Sequence, residues 1–151
     1  MKTQLDITRA NRTILLKFLD QFTLAQLHTV PTGFSNNIIW NIAHVIVTQQ
    51  LLVYKLSGND LMVSQNLVDR YRKGTKVEGP VDQEEVTLIK ELLTSTIDTT
   101  EKDMDMLLNA TFETYPTSAG FTLNSVKDAI AFNTFHEGIH LGYILAMKKS
   151  L

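Results

Sequence analysis

Apolar residues recur at spacings of three and four in four separate stretches of this sequence, and strict alternation is rare. That periodicity belongs to helices with one buried stripe, and the shortage of alternating β-branched runs argues against a sheet. In the first stretch, residues 3–20, the stripe reads Ile7, Ala10, Ile14 and Phe18, with Phe22 just beyond. A turn, TLAQLHTVPTGF, follows and is closed by Pro31 and Gly33. The second stretch, residues 36–57, has Ser35 or Asn36 as its natural N-cap and Gly58 just past its end. The third is announced after Pro80 by Asp82 and Glu85, spaced as a capping box. Its stripe is Val86, Ile89, Leu93, Ile97, Met104 and Leu107, with Thr100 as the only polar interruption. The fourth starts within TLNSVKD, where Ser125 and Asp128 offer a second box, and runs nearly to Leu151.

The connections suggest how these helices are arranged. Short links make antiparallel neighbours, whereas a long one permits a crossover that leaves two helices parallel. The link between the first and second helices is modest, whereas about 24 residues separate the second from the third. That longer link contains Gly58, Gly74, Gly79 and Pro80, and its NLVDRYRK segment is a candidate for an extra helical turn. The expectation is one all-α domain over residues 1–151, a four-helix bundle running up-down-down-up.

Composition narrows the function. The chain of 151 residues has a formal net charge of -2, with Lys and Arg scattered, so the footprint of a nucleic-acid binder is missing. It has no cysteine, which removes disulfides, thiolate nucleophiles and cysteine-based zinc sites. The first residues, MKTQLDITRANR, lack the apolar core of a signal peptide, and no apolar run is long enough to cross a bilayer. A cytoplasmic protein without membrane partners is expected.

Metal chemistry must then rest on imidazole and carboxylate. His136 and His140, in FHEGIHLGYI, lie about 40° apart around a helix and about 6 Å apart along it, so both can reach one ion. HEGIH also fits the H-E-x-x-H pattern of zinc proteases. Those draw a third ligand from farther along the chain, and LGYILAMKKSL offers no His, Asp or Glu. A third ligand must come from upstream. His28 lies among polar residues in the turn after the first helix, where an exposed, inert state is expected. His44 sits mid-helix among apolar residues, the environment of either a hydrogen-bonded core histidine or a ligand facing the pair. Glu137 lies about 100° around the helix from His136, on what should be the surface, with reach to a metal-bound water as the alternative. Asn41 and Asn133, each three residues before a histidine, are candidates to hold imidazole N–H groups. Each fits equally well a buried amide satisfied elsewhere in the bundle. Trp40, Thr48 and Tyr143 are candidates to wall the same pocket, although a Trp on this face also fits plain core packing.

The motifs W40-N-I-A-H44 and H136-E-G-I-H140 resemble those of the DinB/YfiT-like superfamily of metal-binding four-helix bundles, as do chain length, helix order and crossover position. The family often shows Arg-Gly-Gln after the second motif; here Leu141, Gly142 and Tyr143 stand there, and only Gly142 matches. The resemblance implies that His44, His136 and His140 hold one divalent transition metal, zinc or nickel first, with iron or cobalt as alternatives. It also implies a homodimer and a small-molecule substrate, with transfer of a low-molecular-weight thiol as one chemistry. Three ligands leave a coordination position open, the mark of a catalytic site. A metal-binding or stress-associated bundle that acts through protein partners is the alternative.

Overall fold

The computed structural model describes all residues 1–151. Four long helices form the bundle: α1 (Lys2–Gln21), α3 (Ile38–Gln49), α5 (Gln83–Lys102) and α7 (Val126–Met147). Between them stand three shorter helices, α2 (Leu24–His28), α4 (Gln65–Tyr71) and α6 (Met104–Asn109). The caps follow the sequence. Asp82 accepts from Glu85 N, and Ser125 from Asp128 N, at the starts of α5 and α7. Asn37, not Ser35 or Asn36, caps α3. Thr23 and Gln26 form a full capping box that starts α2 inside what the sequence presents as a plain turn.

Each long helix packs against two others, α1 against α5 and α7, and α3 against α5 and α7. Thr8 and Gln4 meet Thr134 while Arg12 meets Glu137, so α1 and α7 ascend together. Arg9 pairs with Asp98 and Asp20 with Lys90, so α1 and α5 run oppositely.

The molecule departs from its sequence pattern in three places. Residues Tyr115–Pro116 and Thr122–Leu123 pair as a short antiparallel hairpin, β1 and β2, where the pattern predicts no sheet. The α5 stripe does not continue unbroken to Leu107, because the helix ends at Lys102 and α6 restarts at Met104. The apolar stripe of α1 is not its buried face either. Leu5, Thr8, Arg12, Leu15, Phe18 and Leu19 are buried, whereas Ile7 and Ile14 are exposed.

The inward turn of Thr8 and Arg12 has a physical cause. The core is two apolar clusters, one built around Leu15, Ile42, Leu93 and Ile144, the other around Leu5, Val53, Ile97 and Ile130. A buried polar band separates them: Thr8 and Arg12 from α1, Gln49 and Gln50 from α3 and its continuation, Thr96 and Thr100 from α5, Asn133 and Glu137 from α7. Most of their polar groups bond one another. Arg12 Nη2 donates to Glu137 Oε1 at 2.8 Å, and Arg12 Nη1 to Thr96 Oγ1 at 2.6 Å. Asn133 Nδ2 donates to Glu137 Oε1 at 2.9 Å, and Gln49 Nε2 to Thr100 Oγ1 at 2.8 Å. Glu137 is therefore fully buried, not a surface residue, because Arg12 offers it a charge-assisted partner inside the bundle.

Candidate metal centre

The N-terminal part of α3 places the first imidazole. Asn37 caps the helix by accepting from Trp40 N at 2.9 Å, and its carbonyl accepts from Asn41 Nδ2 at 2.8 Å. That second bond fixes the Asn41 amide with its oxygen pointing away toward α7. There Asn41 Oδ1 lies 2.7 Å from His140 Nδ1. An amide oxygen only accepts, so His140 carries its proton on Nδ1 and presents the Nε2 lone pair inward. Asn41 thus orients a histidine on the facing helix, not the one on its own.

His44 is set by a backbone group. Its Nδ1 lies 2.6 Å from the Tyr71 carbonyl at the end of α4, so Nδ1 donates and Nε2 is again the free lone pair. Tyr71 itself is anchored to α5 through its hydroxyl, which donates to Glu85 Oε1 at 2.6 Å. Trp40 stacks on the His44 ring, centroids 4.6 Å apart, and donates from Nε1 to Thr75 Oγ1 at 3.2 Å. The crossover segment therefore clamps the outer side of His44, and the NLVDRYRK helix acts as part of the site's frame.

His136 completes the group. Its Nε2 is 3.1 Å from His140 Nε2, and one ligand nitrogen from each of His44, His136 and His140 falls within 4.8 Å of the others. Three nitrogens around a tetrahedral ion stand about 3.3 Å apart, so the cluster fits a divalent metal with small side-chain adjustment. Two of the three rings already have the tautomer a metal requires. Burial drives all three imidazoles toward the neutral state: His44 is lowered, His136 falls to about 3 and His140 to about 4. Neighbouring imidazoles lower the latter two further, so at neutral pH the lone pairs are available.

The remaining expected residues divide. Thr48 lies 3.3 Å from His44 Nε2 and lines the cavity described below. Asn133 does not bond His136; its amide nitrogen serves Glu137, while its Oδ1 and His136 Nδ1 are both buried without a protein partner. Tyr143 is exposed, packs edge-on against Phe34 and stays outside the cavity, because it lies two helical turns past His136 along α7. His28 is not inert. It is half-buried, and its Nε2 accepts from Val81 N at 2.9 Å, pinning the end of the crossover to α2.

Above the histidines opens a cavity of about 560 Å³. Leu51, Leu52 and Leu56 form one wall, from a π-helical turn (Gln50–Tyr54) and a 3₁₀ turn (Lys55–Ser57) that prolong α3, and Phe132 of α7 forms another. The hairpin contributes Tyr115, Thr117 and Ser118; Glu113, Lys55 and Lys73 complete the lining. Reading the sequence missed Lys55 and Lys73, although Lys55 lies eleven residues after His44 and so on the same helical face. It also missed the Tyr71 carbonyl, which no side-chain pattern signals.

Known proteins share this arrangement of helices. The family model of the DinB superfamily matches residues 7–144. The chain belongs to the DinB superfamily. No curated protein sequence matches it. The crystal structure of a conserved protein from Enterococcus faecalis superimposes with a TM-score of 0.67 at 13% identity, covering 98% of this chain and 94% of that one. At that identity the likeness shows the shared fold. This DinB-like protein is mostly helical, carries three histidines placed to fit a divalent metal, and has no helix long and apolar enough to cross a membrane.

Proposed function

We propose that His44, His136 and His140 bind one divalent transition metal and that the chain is a metal-dependent enzyme acting on a small molecule, with thiol transfer as its chemistry. The observation that carries this is the convergence of three neutral imidazoles at the floor of a cavity large enough for a substrate. A structural site is closed by a fourth protein ligand; here no Asp, Glu or further His joins the cluster. A divalent transition metal bound there supplies Lewis acidity, lowering the pKa of a thiol or water that takes its open position. The chain's own residues do the rest. Asn41 and the Tyr71 carbonyl hold two imidazoles in register, Trp40 backs the His44 ring, and Leu51, Leu52, Leu56 and Phe132 give the cavity apolar walls. A bundle that only stored the ion would have no need of that cavity.

The lining also speaks to the substrate. Neither Lys55 nor Lys73 forms an ion pair. Two free lysines against the single Glu113 carboxylate leave the lining net positive, which suits a thiol whose far end is anionic. The assembly that goes with this reading is a homodimer in which each subunit keeps a complete cluster, since all three histidines come from one chain.

Metal content is the first test. Untagged protein should carry about one transition ion per chain, and His136→Ala should lose it; equal content in both removes the site. The Co²⁺ form, titrated with a small thiol, should then develop a thiolate charge-transfer band. A spectrum indifferent to every thiol leaves a metal-binding bundle and ends the transferase reading.

A further inference from the structure

The outer face of α7 carries no charge. Every exposed residue between Lys127 and Lys148 is apolar, aromatic or glycine. Phe135 is 56% exposed, Tyr143 53%, Ile139 46% and Leu145 45%. Water-facing helices of monomeric proteins normally carry charge on such a face. On α1, Ile7 (47%) and Ile14 (38%) are exposed as well.

The pattern within this face is self-complementary. Phe135, Ile139 and Tyr143 form one ridge at spacings of four, while Gly138, Gly142 and Ala146 line the groove beside it. A Cβ added at Gly138 or Gly142 meets nothing within 4 Å, so the groove is open to an incoming side chain. We propose that two copies of this chain pair through this face, α7 against α7, antiparallel about a two-fold axis between Gly138 and Ile139. Phe135 then sits over the partner's Gly142 and Ile139 over the partner's Gly138, with Ala131 opposite the partner's Ala146. The same register places Asp128 opposite the partner's Lys149, an ion pair at each end of the interface. One alignment thus matches large with small and negative with positive, and by symmetry makes each match twice.

The area agrees. Phe135, Ile139, Tyr143 and Leu145 are each about half exposed, and burying such side chains on both copies approaches the roughly 1,000 Å² that a specific interface needs. The inference rests on the homodimer of the proposed reading and adds the surface that forms it; it does not depend on the metal.

Sedimentation and cross-linking test it. Wild-type protein should be a dimer at micromolar concentration. Gly142→Leu should raise the dimer dissociation constant at least tenfold while the monomer stays folded, because a leucine favours the helix over glycine and the added Cβ has open space. The chain has no cysteine, so Ile139→Cys, close to the axis, should oxidise to a covalent dimer, whereas exposed Thr87→Cys should not. A monomeric wild type overturns both the homodimer and the face. A dimer that is indifferent to Gly142→Leu and gives no cross-link at position 139 overturns the face alone.

Discussion

Removing the Glu137 carboxylate should destabilise the protein more than any exposed substitution, even though Glu137 occupies the position of a catalytic base in an H-E-x-x-H motif. Glu137 is fully buried, and its Oε1 accepts from Arg12 Nε, Arg12 Nη2 and Asn133 Nδ2. Glu137→Ala leaves a buried guanidinium with only Thr96 and the Leu93 carbonyl as partners. Breaking such a pair from one side costs about 3–5 kcal/mol. At about 3 °C per kcal/mol for a domain of 151 residues, the melting temperature should fall roughly 10–15 °C. The double variant Arg12→Met/Glu137→Leu removes both charges and fills their volume, so it should recover most of that loss. Thermal and urea unfolding of the three proteins, all metal-free, measure the cycle. If Glu137→Ala unfolds within about 1 kcal/mol of wild type, or if the double variant is worse than either single, the buried pair is not what ties α1 to α7.

The other predictions concern the cluster and its cavity. Asn41→Leu should weaken metal binding about 10- to 100-fold by freeing the His140 ring, read by competition with a chelator; affinity within twofold of wild type would show that the Asn41 bond is not needed. Acid should destabilise the metal-free protein as pH falls from about 6.5, where unfolded histidines begin to take up protons, toward the folded values of about 3 for His136 and about 4 for His140. The two together should cost on the order of a few kcal/mol at pH 5, and His136→Phe should flatten that limb of the stability curve. Replacing both Lys55 and Lys73 by Gln should weaken binding of 3-mercaptopropanesulfonate to the Co²⁺ form about tenfold at low salt and leave a neutral thiol unchanged. Equal losses for the two thiols would remove the anionic tail from the proposal.

The bundle was legible because its helices declare themselves locally. Asp82 with Glu85 and Ser125 with Asp128 mark two helix starts within one residue, and Gly58 ends the α3 continuation with a φ of 71°. The face each helix buries was less legible. On α1 the apolar stripe Ile7–Ile14 points outward while Thr8 and Arg12 point in. Hydrophobic periodicity assumes that polar means exposed, and that assumption fails when four helices supply partners for one another's polar groups. The expectation of Glu137 at the surface rests on its offset of about 100° around the helix from His136, and that offset turns it toward α1 instead. Nothing local to HEGIH reveals Arg12, which is 125 residues away in sequence.

The three histidines were legible for the complementary reason. An i, i+4 pair facing a lone histidine among apolar residues is a rare combination in a chain with only four histidines, and the geometry brings their ring nitrogens together. What holds the rings was harder to see, since His44 leans on a backbone carbonyl and His140 on an amide from another helix. The two systems meet on α7. Its residues 133 and 137 face the polar band, 136 and 140 face the histidine cluster, and 135, 139 and 142 face outward, so one helix serves three surfaces with three different chemistries. A small rotation of α7 would misalign all of them at once. The buried Arg12–Glu137 pair, which also reaches Thr96 and the Leu93 carbonyl of α5, resists it together with the Thr8–Thr134 and Asn41–His140 bonds. The residue that resembles a catalytic base is thus one of the anchors of the helix that carries His136 and His140.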